Sequence, residues 1–204
     1  MGIPIWVKRE PEPVLTPQTE SLSWSALEQT VKACTLCPLH QTRLQTVFGS
    51  GDPTSPILFI GEGPGANEDR QGLPFVGRAG QLLDAMLMAI NLDRKNIYIA
   101  NIVKCRPPHN RDPSPDEIAA CTPYLRQQIK HIQPKLIVAL GRVAAQYLLK
   151  SSVSMNKLRG HVHTLSPENL PVMVTYHPAY LLRNPLDKAQ ALEDLYRIRA
   201  YAGT

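Results

Sequence analysis

The sequence predicts an α/β layer fold with a mainly parallel sheet, and three observations predict it. Four short apolar runs, the first of them bounded by Pro and Gly, have the pattern of strands buried in a sheet. Segments with apolar residues at helical spacing alternate with them, as crossovers between parallel strands require. Polar residues, Gly and Pro gather directly after three of the four runs, at the strand ends where ligands bind in such folds.

Residues 1–21 are Pro-broken and lack apolar periodicity, so they read as a flexible tail ahead of one domain spanning 22–204. Ser23 and Ser25 offer caps for a helix through Ala26, Leu27, Val31 and Ala33 that delivers the chain to Cys34. Pro56–Ile60 is the first strand. The Gly- and Pro-rich stretch Gly61–Gly77 is expected to be irregular, and Gln81–Ile90 to be a helix. Ile97–Ala100 is the second strand. A capping box with Ser114 as N-cap, Pro115 at N1 and Glu117 at N3 opens a helix that runs to about Gln133. Lys135–Leu140 is the third strand, ended by Gly141, after which Ala144, Ala145, Leu148 and Leu149 mark a helix. Val172–Tyr176 is the fourth strand. From Leu186 to Tyr201 a last amphipathic helix places Ala189, Leu192, Leu195 and Ile198 on one side.

The chain has 204 residues, 43% of them hydrophobic, which suits one compact domain. No run approaches the ~18 apolar residues of a membrane span, and the N-terminus lacks a secretory apolar run, so a cytoplasmic protein is expected. In that compartment four Cys are metal or redox ligands rather than a disulfide framework. With 22 Lys and Arg against 17 Asp and Glu, the net charge of +5 is compatible with a polyanionic partner.

Gly61-Glu62-Gly63-Pro64-Gly65-Ala66 matches G-x-G-x-x-A, yet Gly72 and Pro74 follow where a dinucleotide-binding helix would continue, and no Gly-Lys-Ser/Thr marks a phosphate loop. The glycines instead let backbone N–H groups approach a ligand. Glu62, Glu68 and Asp69 place three carboxylates in the same loop, where one can orient water or stabilise a developing cation. Phe75 is either core filling or a platform for a flat ligand. Asn101 ends the second strand, where its amide can read a base edge, and His177 follows the fourth strand before Pro178. Lys104, Arg106, Arg111 and Arg183 surround these loops with cations suited to phosphates. Cys34 and Cys37 form C-x₂-C, while Cys105 and Cys121 are widely spaced. Four such thiolates suit either tetrahedral zinc or a [4Fe–4S] cluster.

The strings CTLCPLHQTR, VFGSGDP, ILFIGEGPGANEDRQGLPFVGRAGQLLDAML, YIANIVKCRPPHNRDPSPDEIAAC and HPAYLLR, in this order across residues 24–200, resemble the family 4 uracil-DNA glycosylases, the iron–sulfur branch of their superfamily. The resemblance implies a three-layer α/β/α sandwich around a four-stranded sheet, and a monofunctional base-excision repair enzyme that flips uracil out of DNA and hydrolyses its glycosidic bond. It implies a structural [4Fe–4S] cluster on Cys34, Cys37, Cys105 and Cys121. Phe75 would stack on the base, Asn101 would read its O4 and N3 edge, and Glu68 would exclude the thymine methyl. His177 would donate to O2, helped by backbone N–H groups around Gly63 and Gly65, and Glu62 or Asp69 would hold the attacking water. Arg106, Arg111 and Arg183 would meet phosphates, with Tyr180, Leu181 or Leu182 wedging the vacated stack. The implied partner is uracil-containing DNA, single- or double-stranded, engaged by a monomer at the nucleoid. Families with an Asp-Pro-Tyr first motif have an aspartate where this loop offers Glu62. A subgroup that bonds covalently to DNA carries a basic insertion that is missing around His109. The competing readings are a non-catalytic iron–sulfur or zinc module that binds nucleic acid, and a dinucleotide-dependent oxidoreductase.

Overall fold

The structure, a computed structural model, describes residues 22–203, so the segment read as a tail lies outside the described residues. In chain order the elements are α1 (Trp24–Ala33), β1 (Ser50–Gly51), β2 (Ile57–Gly61), α2 (Ala66–Gln71), α3 (Arg78–Met88), β3 (Tyr98–Asn101), α4 (Pro115–Ile132), β4 (Leu136–Leu140), α5 (Arg142–Leu149), α6 (Met155–Leu158), β5 (Val162–Leu165), β6 (Leu170–Thr175), α7 (Pro178–Arg183) and α8 (Lys188–Ala202). No helix among the described residues is long and apolar enough to cross a membrane.

The strands form one mixed sheet in the order β1-β3-β2-β4-β6-β5. The four predicted strands are its parallel centre, whereas the expectation of four strands in all is corrected to six. β1 and β5 were missed because each pairs antiparallel at an edge, and their exposed or mixed residues carry no apolar run. Along the central strands alternate residues feed opposite layers, as the two-residue period of a strand requires. Leu58, Ile60, Ile137, Ala139, Val172 and Val174 pack under α1, α4 and α5. Ile57, Phe59, Leu136, Val138, Leu140 and Met173 pack under α3, α7 and α8. The result is a three-layer α/β/α sandwich.

Local signals explain most boundaries. Ser23 accepts from the Ala26 N–H at the start of α1, and Ser114 and Glu117 form the reciprocal box that opens α4. Two expectations are corrected. Gly61–Gly77 is not wholly irregular, because α2 begins at Ala66 and stops at Gly72 in the left-handed conformation; six residues are too few to show a helical period. On α8 the buried residues are Ala191, Asp194, Leu195 and Ile198, while Ala189 is exposed. Asp194 can be buried because it accepts from Arg159 Nε at 2.6 Å and Thr175 Oγ1 at 2.9 Å.

After β2 the chain moves to β3 on one side and then across to β4 on the other. That reversal is a topological switch point, and a crevice opens beyond the strand ends there.

Candidate active site at the carboxyl edge of the sheet

The crevice is a cavity of about 630 Å³ lined by the loops that follow all four parallel strands. It contains Glu62, Gly63, Gly65, Glu68, Phe75, Asn101, His177, Tyr180 and Arg183, which lie far apart in the sequence. Register brings the first pair together: Gly61 and Asn101 are direct partners across β2 and β3. A Cβ on Gly61 would collide with Asn101 Oδ1 and stand 2.8 Å from Phe75 Cζ, so a side chain there would displace both. Asn101 is 2% exposed, and its Oδ1 has no hydrogen-bond partner. A buried amide acceptor without a partner is costly unless a ligand supplies a donor.

Phe75 adopts φ 54°, a left-handed conformation that an aromatic residue takes only when held. The Arg94 guanidinium holds it by donating to the Pro74 carbonyl at 2.9 Å and to the Phe75 carbonyl, and by pairing with Asp84 at 2.7 Å. Its ring lies 5.5 Å from that of His177, tilted by 33°. The aromatic is therefore both core filling and a wall of the cavity.

His177 is the N-cap of α7, and its Nδ1 accepts the Ala179 N–H at 3.1 Å. That bond leaves the proton on Nε2 in the neutral ring. Burial, aided by the nearby Arg183 charge and opposed by Glu68, lowers its pKa to about 4, so the ring is neutral at pH 7. Glu62 moves the other way. Burial first, then the Asp112 charge, raise its pKa to about 7 against the opposing charge of Arg142.

Glu68 Oε1 accepts from the N–H groups of Val76 at 2.9 Å and Gly77 at 3.0 Å, tying α2 to the Phe75 turn while the side chain lines the cavity. Asp69 does not line it. It is buried on the other side of α2 and accepts from the Leu44 N–H at 2.9 Å, because successive residues of a helix point about 100° apart. Leu181 is likewise removed from the surface, fully buried in the core cluster on the α3 side of the sheet, whereas Leu182 is exposed beside it. Tyr180 stacks on Tyr176 and donates to Asp187 Oδ2 at 2.6 Å.

The basic residues differ in what holds them. Arg111 is bound at both ends of its fork to Glu117, at 2.8 and 2.7 Å, and Arg106, which does not line the cavity, donates from Nε at 2.8 Å to Asn110, which does. Arg183 makes no hydrogen bond or ion pair among the described residues. Sequence reasoning passed over Arg142, Asp112 and Asn156, which also line the cavity. For Arg142 the available signal was its place directly after Gly141 at the end of a buried strand.

A second cluster lies behind β3. Cys34 caps α1, Cys37 follows it, Cys105 is in the loop after β3 and Cys121 is in α4, yet all four line one small cleft, and all are free thiols. Among the described residues no group of three or more His, Cys, Asp and Glu is drawn together as a single-ion site. Burial raises the pKa of Cys37, Cys105 and Cys121, the last to about 12. N–H donors face the sulfurs: Arg43 Nη1 reaches Cys105 Sγ at 3.0 Å, and the Lys104 N–H reaches Cys121 Sγ at 3.2 Å. A thiolate set with N–H···S donors fits cluster ligation.

Fold and crevice define a doubly wound α/β protein whose ligand site sits at a switch point of the sheet. A family model described as Uracil DNA glycosylase superfamily matches residues 48–197. A protein of Thermotoga maritima named Type-4 uracil-DNA glycosylase is 44% identical over 179 residues, 86% of this chain and 92% of its own. Proteins of the same name from Sulfurisphaera tokodaii (44% over 189 residues, 89% and 86%) and Archaeoglobus fulgidus (39% over 179 residues, 85% and 90%) align as fully. The chain belongs to the uracil-DNA glycosylase superfamily, in its type-4 family.

Proposed function

We propose that this protein excises uracil from DNA, leaving an abasic site, and that one catalytic domain beginning at residue 22 does so. The observation that carries the reading is the buried, unpartnered Asn101 amide beside Phe75 and His177 in one cavity. Inside a duplex the glycosidic bond is out of reach, so the nucleotide has to be extruded. The flipped ring stacks on Phe75. Asn101 Oδ1 accepts from N3–H and Nδ2 donates to O4, while cytosine would set donor against donor; a good bidentate contact discriminates by ~1–3 kcal/mol. Glu68, held by the Val76 and Gly77 N–H groups, forms the wall that a thymine methyl would strike.

As C1′–N1 lengthens, its electron pair passes into the ring and charge gathers on O2. His177 Nε2–H, preset by the Ala179 contact, donates there, together with backbone N–H groups around Gly63 and Gly65. Water adds to C1′ and gives its proton to Glu62, and the uracil anion leaves and is protonated. Glu62 takes this part alone, since Asp69 serves the loop at Leu44. With a pKa of about 7 it is matched to accept a proton at neutral pH.

Cys34, Cys37, Cys105 and Cys121 would hold a [4Fe–4S] cluster, which supplies a rigid crosslink between α1, α4 and the loop after β3. Its support is the shared cleft and its N–H···S donors. The partner is uracil-bearing DNA, single- or double-stranded, met by a monomer in the cytoplasm at the nucleoid, and the exposed Leu182 is the wedge beside Arg183. Base release from U:G, U:A and single-stranded substrates tests the reading. His177→Ala is expected to slow release by roughly 10²–10³-fold, as loss of one such donor does. Asn101→Asp, which presents an acceptor in place of the amide donor, is expected to weaken release of uracil and admit cytosine. Full activity of both variants refutes the site.

A further inference from the structure

Resting on the functional reading, we propose that Arg142 is a DNA-binding residue that exchanges its Asp112 partner for a backbone phosphate of the flipped nucleotide's strand. The cavity, at about 630 Å³, is far larger than one pyrimidine ring, and Arg142, Asp112 and Asn156 line it together with the residues assigned to the base. Three arginines stand around this mouth, and their present partners decide which can change partner. Arg111 is gripped bidentately by Glu117, whose side chain is only 5% exposed and which also anchors the cap of α4. Releasing it would strand a buried carboxylate, a heavy cost. Arg142 is paired at 2.6 Å with an Asp112 that is 60% exposed, and is itself 56% exposed. Exposed pairs of that kind hold weakly, and both partners are readily rehydrated or repaired. Phosphate competes well for the same fork, being doubly accepting in the plane that a guanidinium presents.

Position supports the exchange. Arg142 opens α5 immediately after β4, and Arg183 ends α7 after β6, so two cations without buried partners flank the cavity on neighbouring strand ends. Asp112 then acts as a placeholder that keeps Arg142 over the crevice until a strand arrives, and Arg142 Nη1 keeps a second tether to Gln146 at 3.3 Å.

The test is binding of a duplex carrying a tetrahydrofuran abasic analogue, titrated against salt. Arg142→Gln is expected to reduce the slope of log K against log salt by about 0.9 and to weaken binding roughly five- to tenfold at physiological salt. Measured well above pH 7, where Glu62 is a carboxylate in both proteins, it should raise KM for uracil release with little change in kcat. Arg142→Lys should keep the slope, since it keeps the charge, and Asp112→Asn should tighten binding by freeing the guanidinium. An Arg142→Gln slope equal to that of the wild type overturns the proposal, as does a loss confined to kcat. The slope needs no turnover, so it judges Arg142 separately from the base-release assay that judges the functional reading.

Discussion

Glu62 and His177 share a cavity whose burial drives both towards their neutral forms, lowering the pKa of His177 and raising that of Glu62. His177, at about 4, stays an uncharged donor throughout the neutral range. Glu62, at about 7, is the group that titrates there. A base works only as the carboxylate, so kcat/KM is expected to rise with pH through about 7 and level off above it. Asp112 raises the Glu62 pKa, so Asp112→Asn should move that limb to lower pH. Arg142 lowers it, so Arg142→Gln should move the limb to higher pH. A pH–rate profile that stays in place in both variants would exclude Glu62 as the titrating base. Asp69 shows what residue-level reading lacks. Glu68 and Asp69 are adjacent carboxylates of the same loop, and only the winding of α2 sends one to the cavity and the other to the Leu44 N–H.

At the scale of elements, the site depends on how strand ends and short helices meet. Gly61 ends β2 beside Asn101 because the two strands are parallel and in that register. Gly61→Ala is therefore expected to displace Asn101 and Phe75 into the cavity and cost roughly 10²-fold in uracil release, since small misplacements of a reactive array have costs of that order. Thermal melting should change little, because both neighbours can yield into open space. Activity close to wild type would mean that the Gly61–Asn101 contact does not set the reader's position. The long elements were legible from the chain because their periods or caps repeat: β2, β3, β4 and β6 as apolar runs, and α4 from Ser114, Pro115 and Glu117. α2, β1 and β5 were not, being too short or too exposed to carry a period.

Across the whole molecule the cysteine cleft and the cavity at the strand ends are joined through one buried lysine. The Lys104 N–H reaches Cys121 Sγ, while its Nζ donates to the Asn101 carbonyl at 2.9 Å and to Gln128 Oε1 at 2.6 Å. Protein purified without oxygen is expected to be brown and to contain iron. Chelation, or Cys121→Ser, should bleach the visible band, lower the melting temperature by several degrees and slow uracil release; each kcal/mol of lost stability is worth ~2–4 °C for a chain of this size. Colourless, iron-free protein with full stability would remove the cluster from the account. The same scale explains the arginines. Which of Arg106, Arg111, Arg142 and Arg183 can meet a phosphate follows from the partners they already have: Asn110 and Glu117 lie within a few residues of Arg106 and Arg111, whereas Asp112 reaches Arg142 from another loop.

By itself the sequence determined the layered architecture, the parallel centre of the sheet, the family and most of the candidate side chains that line the cavity. Those depend on residue type, local period and the order of motifs, all of which are written along one dimension. Only the tertiary structure decided that Asn101 Oδ1 stays unpartnered, that Leu181 is core, that Arg111 is committed to Glu117 and that Arg142 is not. Burial and pairing are set by the conformation the chain adopts and by the neighbours it brings together, near or distant in sequence, and residue type and period alone do not encode them.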